Sequence, residues 1–128
     1  MPGKVVHFEV PADDVDRAVS FYDKAFGWRI ASWPGNEYHL VTTVETDENG
    51  MPTEPGGING GMLKRQDPIK NTVITIQVDD IDAALKTVED AGGNVVRGRE
   101  PVGDMGFSAY FLDTEGNTLG LWENASTA

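Results

Sequence analysis

The sequence predicts an α+β fold built from two tandem βαβββ units, and three observations predict it. The chain repeats itself at a fixed offset, each copy passes from a period-two apolar pattern to a helical one, and glycine punctuates the end of each helical stretch. Laid over itself with an offset of 66 residues, the chain brings Asp13, Asp14, Val15 and Asp16 onto Asp79, Asp80, Ile81 and Asp82. In the same register Ala18, Val19, Asp23, Ala25, Gly27 and Ile30 fall on Ala84, Leu85, Glu89, Ala91, Gly93 and Val96. The expected division is a first unit over about residues 4–64, a linker over 65–71 and a second unit over 72–123, within a single domain.

Each element follows in order. VVHFEV opens the first copy and TVITIQV the second, both alternating as half-buried strands do. Each strand runs into an Asp-Asp pair, whose carboxylates suit the free N–H groups and positive end of a helix. Val15, Ala18, Val19, Tyr22 and Phe26 then recur at spacings of three and four, as do Ile81, Ala84, Leu85 and Val88, which places each set on one helical face. Gly27 and Gly92-Gly93 sit where a left-handed cap conformation ends a helix at least cost. Trp28 to Trp33 and Tyr38 to Val44 read as a hairpin about Pro34-Gly35-Asn36, and Gly57 to Lys64 as the closing strand of the first copy. Asn94 to Arg97, Phe107 to Leu112 and Thr118 to Glu123 are their counterparts, the last two joined by the turn Asp113-Thr114-Glu115-Gly116-Asn117. The polar, breaker-rich stretch from Glu45 to Pro55 reads as an exposed loop and a candidate lid.

Composition excludes several function classes. With 128 residues, 39% apolar and 24% charged, the chain is expected to bury roughly 70% of its unfolded surface on its own core. The absence of cysteine removes disulfides, redox pairs, thiolate zinc sites and cysteine nucleophiles. Ten Lys and Arg against 21 Asp and Glu give a net charge of −11, which repels both nucleic acid and anionic membrane surfaces. MPGKVVHFEV lacks the apolar core of a secretory signal, and no run reaches the ~18 apolar residues of a spanning helix, so a cytoplasmic protein is expected.

Taken together, Asp14, Arg17-Ala18, Phe21-Tyr22, Phe26-Gly27, Val78-Asp79-Asp80, Gly92-Gly93 and Asp113 with Glu115-Gly116-Asn117 resemble the vicinal oxygen chelate superfamily, which includes glyoxalase I, bleomycin-resistance proteins and extradiol dioxygenases. That resemblance covers almost the whole chain. It implies that the paired units curl into a U-shaped mixed sheet around a cavity with the helices outside, that a small organic molecule is the partner, and that the protein is a homodimer. It also implies a divalent metal held by ligands on the first and last strands of each unit. His7 falls on a first-strand ligand position, but the offset pairs it with Val73, and Gly120 and Gly60 stand where carboxylates are usual. One histidine is not a metal site, since a catalytic zinc takes three protein ligands. A metal-poor branch is therefore expected, with no cofactor; the alternative is a metal-dependent lyase or dioxygenase that adds Glu9, His39 or Gln77 to His7.

Strand alternation assigns the cavity face. With Phe8 and Val10 under the first helix, His7 and Glu9 face inward; with Ile74, Ile76 and Val78 under the second, Thr75 and Gln77 do. Leu119 and Leu121 go to the helix side, leaving Gly120 and Trp122 for the cavity. His7 with Glu9 is the expected catalytic pair, because histidine titrates near neutrality and proton abstraction beside a carbonyl suits it. Thr75, Gln77, Tyr110 and Trp122 are the expected substrate-binding residues, and alternation leaves open which of Tyr38 and His39 faces inward. The Gly56–Gly61 run lacks the order of a phosphate loop and reads as a strand that something approaches closely. The expected function is a glyoxalase-like lyase or isomerase; a drug-binding or sequestering protein without activity is the non-enzymatic alternative.

Overall fold

A computed structural model describes residues 3–33 and 37–125. The order of elements is β1 (Val5–Ala12), α1 (Val15–Phe26), β2 (Arg29–Ser32), β3 (His39–Thr42), β4 (Gly60–Lys64), β5 (Val73–Gln77), α2 (Ile81–Asp90), β6 (Asn94–Val102), β7 (Gly106–Leu112) and β8 (Thr118–Asn124). The expected turn at Pro34-Gly35-Asn36 lies outside the described residues. The fold is α+β, as the repeat predicts. Neither described helix is long and apolar enough to cross a membrane.

The chain divides into two compact units. His7–Thr72 form the first, and the residues before His7 join those from Val73 onward in the second. Lys4 belongs with the second because its carbonyl accepts the Gln77 N–H at 2.9 Å. The segment 65–71, expected as a linker, is fastened to the first unit: Arg65 Nε donates to Asp13 Oδ1 at 2.8 Å, Gln66 bridges to Ile69, and Ile69 is buried.

Both units have one strand order. In the first it runs β2-β3-β4-β1, with β4 parallel to β1 and antiparallel pairs elsewhere. In the second, β6-β7-β8-β5 repeats it, with β8 parallel to β5. A parallel closing strand follows from the helix between first and later strands, since only a crossover brings two parallel strands side by side.

Each helix starts as its Asp-Asp pair predicts. Asp14 and Asp80 are the N-caps, in extended backbone, and accept from Arg17 N at 3.0 Å and Ala83 N at 3.1 Å. Gly27 ends α1 with φ 73°, whereas α2 ends on Ala91 and leaves the left-handed turn to Gly92, φ 105°. The first core packs Val15, Ala18, Val19 and Tyr22 of α1 on Phe8, Val10, Val41 and Met62. The second packs Ile81, Ala84, Leu85 and Val88 of α2 on Ile76, Val78, Ala109, Phe111 and Leu121.

Two apolar assignments need correction. Phe26, expected on the buried face of α1, is 67% exposed; it is the last helical residue and its ring lies against those of Tyr22 and Trp28 at the end of the helix. Ile74, expected under α2, is 45% exposed; the helix covers Ile76 and Val78, at the strand end from which the chain enters it. The closing strand of the first unit is also shorter than Gly57 to Lys64. Ahead of it the Asn59 amide replaces the ladder, accepting from Thr43 N at 2.7 Å and Val44 N at 3.0 Å and donating to Val44 O at 3.2 Å.

Candidate functional site

The first unit carries a polar cluster on the sheet face turned away from α1. Phe8 and Val10 take the helix side of β1, so His7 and Glu9 take the other. The backbone register sets Glu9 beside Gly61 of β4, and Gly61 beside Leu40 of β3. Over this row lies Tyr38, just ahead of β3. A Cβ added to Gly61 would fall 1.8 Å from the Tyr38 Oη, so the phenol fills the space that any other residue at 61 would claim. From there Tyr38 Oη meets His7 Nε2 at 2.8 Å, with the two rings 15° from parallel. Glu9 is buried at 5% exposure on the same face.

The electrostatics of the cluster follow from its burial. Desolvation pushes the His7 imidazole below its ordinary value, because burial penalises the cation, and the Glu9 carboxylate opposes that shift. At neutral pH the imidazole is therefore neutral, and the pair shares one hydrogen bond whose direction depends on the tautomer.

Tyr38 is the member that sequence reasoning left undecided. The structure turns Tyr38 to the His7 side and His39 to the other. His39 pairs with Met62, and Met62 pairs with Val10; both partners belong to the core under α1. The His39 Nδ1 is buried without a hydrogen-bond partner among the described residues. His39 therefore cannot share a metal with His7 and Glu9, which lie on the opposite face of the first unit's sheet. The glycine run held a usable signal. Its close approach is real, although the approaching groups are the Phe8 carbonyl at Gly60 and the Tyr38 ring at Gly61.

The second unit places its four expected residues on the face away from α2. Thr75 pairs with Gly120 and Gly120 with Tyr110; Gln77 pairs with Trp122. Thr75 and Tyr110 are buried, while Gln77 and Trp122 are half-buried. The Thr75 hydroxyl leans over Gly120, where an added Cβ would lie 2.8 Å from Oγ1. The register also corrects an equivalence. Glu9 pairs with Gly61 as Thr75 pairs with Gly120, so Gly61 rather than Gly60 is the first-unit counterpart of Gly120.

A family-type metal centre does not fit these residues. Both closing-strand positions are glycine, a phenol occupies the space over Gly61, and its oxygen engages the Nε2 of His7. Among the described residues no group of three or more His, Asp or Glu is arranged to hold a metal ion. A separate groove of about 320 Å³ lies at the start of α1 between Asp13, Arg17, Phe21, Tyr22 and Arg65, and none of the cluster residues lines it.

Two βαβββ units of identical strand order, each with a helix on one sheet face and a polar row on the other, define a class of small α+β proteins that carry their chemistry on the sheet. The chain belongs to the Glyoxalase/Bleomycin resistance protein/Dioxygenase superfamily, whose family model matches residues 4–121. It is 30% identical over 128 residues to a lactoylglutathione lyase of Haemophilus influenzae, covering 97% of this chain and 95% of that protein. It is 31% identical over 119 residues to the putative glyoxylase CFP32 of Mycobacterium tuberculosis, covering 90% of this chain but only 43% of that relative's length. In fold it matches a Streptomyces coelicolor methylmalonyl-CoA epimerase with a TM-score of 0.67 at 19% identity, over 96% of this chain and 98% of that one.

Proposed function

We propose that this protein is a lyase or isomerase that moves a proton on a small organic molecule through His7 and Tyr38, without the usual family metal. One observation carries the reading: the half-buried His7 imidazole, its pKa held below the ordinary value by desolvation, is hydrogen-bonded to a phenol that stands over Gly61. In the proposed step a C–H beside a carbonyl gives its proton to the Tyr38 oxygen while the Tyr38 hydroxyl proton passes to His7 Nε2. The electron pair moves onto the carbonyl oxygen as an enolate, and return of the proton completes isomerisation. Glu9 favours the imidazolium that forms, which is the charge pairing a general base needs. Thr75, Gln77, Tyr110 and Trp122 are proposed as ligand-binding residues of the second unit.

The names of the relatives supply the first substrates to try. Lactoylglutathione and methylmalonyl-CoA both carry a hydrogen on the carbon next to a thioester carbonyl. Incubation of each with the protein in D2O, followed by mass spectrometry, reports exchange of that hydrogen. Exchange should fall at least ~10²-fold in His7→Ala, the usual contribution of a positioned base. Exchange unchanged in that variant, or about one tightly bound transition metal per chain by elemental analysis, defeats the proposal. Saturable binding of both compounds without exchange would replace it with a sequestering role. A cytoplasmic homodimer belongs to the same proposal, supported for the dimer by Phe21 and Phe26, which α1 leaves 57% and 67% exposed.

A further inference from the structure

We infer that the sheet face of the second unit binds an organic carboxylate, with the guanidinium of Arg97 as its anchor and the ring of Trp122 as its stacking surface. The strand β6 aims Arg97 onto this face. Its pairing with β7 is irregular between Val95 and Arg97 and again between Arg97 and Glu100, so Arg97 is a single paired residue between two bulges. Bulges of this kind re-aim side chains. The result is a guanidinium 5.4 Å from the centroid of the Tyr110 ring.

The register builds a row outward from that point. Arg97 pairs with Tyr110, Tyr110 with Gly120 and Gly120 with Thr75. The next row on the same face runs Glu100, Ser108, Trp122 and Gln77. Trp122 is held in place: its Nε1 donates to Asn124 Oδ1 at 2.8 Å, and its ring covers Gly106, where a Cβ would lie 2.6 Å away. One ring face is thus spent on the backbone; the side chain is half-buried, and the inference assigns the other face to the ligand. Two strand intervals and two residues separate Arg97 from Trp122, roughly 12 Å between their backbones.

Among the described residues the charge of Arg97 is only weakly engaged. Its ion pair with Glu100 is 4.0 Å long between side chains 38% and 57% exposed, a geometry that contributes little. Arg99 shows the contrast, with its guanidinium 3.6 Å over the Phe107 ring and 3.3 Å from the Glu123 carboxylate. In a chain of net charge −11 the overall field repels anions, so carboxylate recognition requires a local cation with a planar donor fork, which arginine supplies.

This inference stands on the second unit alone and does not rest on proton transfer at His7. Benzoate tests it, with benzamide as the neutral isostere, in chloride buffer at fixed ionic strength. Benzoate should raise the melting temperature and quench tryptophan fluorescence saturably at millimolar concentration, and benzamide should do neither. Arg97→Gln should weaken benzoate at least tenfold with an unchanged far-ultraviolet spectrum, Arg97→Lys should fall between, and Glu100→Gln should tighten binding by removing the competing carboxylate. Equal effects of benzoate and benzamide, no effect of either, or native affinity in Arg97→Gln overturns the inference. If Arg97→Gln does not fold, the isostere contrast and Glu100→Gln decide it.

Discussion

The two units share strand order, helix position, an aspartate N-cap and a glycine on the closing strand, yet they equip that glycine differently. At Gly61 a tyrosine from outside the strand covers the backbone and hydrogen-bonds the histidine of β1. At Gly120 the neighbouring β5 residue, Thr75, leans its own hydroxyl over the gap, and the row continues to Tyr110 and Arg97. One backbone unit thus supports a titratable pair in one copy and a hydrogen-bonding, ring-lined surface in the other. Chemistry resides in the side chains set on a fold, and duplication leaves two units free to diverge.

Substitution at the paired glycines breaks this comparison most sharply. Gly61→Ala must displace the Tyr38 ring, so α-hydrogen exchange should drop at least ~10²-fold, and stability should fall by about 1–3 kcal/mol, as overpacking does. Gly120→Ala presses closely on the Thr75 hydroxyl alone, at 2.8 Å, with the next nearest atoms of the same side chain at 3.5 Å, so it should leave exchange within a few fold and lower stability less. Equal losses at the two sites would mean that the Tyr38–His7 pair has no special role. Paired denaturant melts and exchange rates on both variants distinguish these outcomes.

The helix caps provide a finer contrast. Asp14→Ala should destabilise by about 1 kcal/mol, the usual worth of an aspartate N-cap. Asp80→Ala should cost less. In the second unit Glu123 Oε1 also accepts the Ile81 N–H at 2.9 Å, and that hydrogen bond, with Arg99 beside it, holds the Glu123 carboxyl below its ordinary range. Asp80 opposes that shift by repulsion, so its removal relieves one unfavourable interaction while breaking one favourable one. Urea melts that show the larger loss at Asp80 would reverse this ranking of the two caps.

The pH dependence gives the smallest effect. Because burial lowers the folded-state pKa of His7 below the unfolded value of 6.5, the unfolded chain binds the proton more readily. Stability from this group is therefore present above 6.5 and is lost as pH falls through that value towards the folded pKa. The acid limb of exchange should likewise have its midpoint below 6.5. Glu9→Gln removes the influence that raises the His7 pKa and should move the limb lower still. A shift of the midpoint to higher pH would assign Glu9 another part in the cluster.

Much of the fold was legible because its signals are local. Period-two alternation separated Phe8 and Val10 from His7 and Glu9, and the Asp-Asp pairs marked both helix starts, since each depends on residues within a few positions of one another. Tyr38 and the space over Gly61 were not legible. They lie 23 positions apart in the sequence, and only the pairing of β3 with β4 and of β4 with β1 brings phenol, glycine and His7 together. Arg97 was hidden for a related reason: bulges break the strict alternation by which a sequence reveals its faces. The sequence by itself determined the repeat, the element types and the face of each regular strand, because these arise from short-range sterics and hydrogen bonding. Only the tertiary structure decided which side chain fills the room a glycine leaves, because that depends on register between strands distant along the chain and on a ring long enough to reach across them.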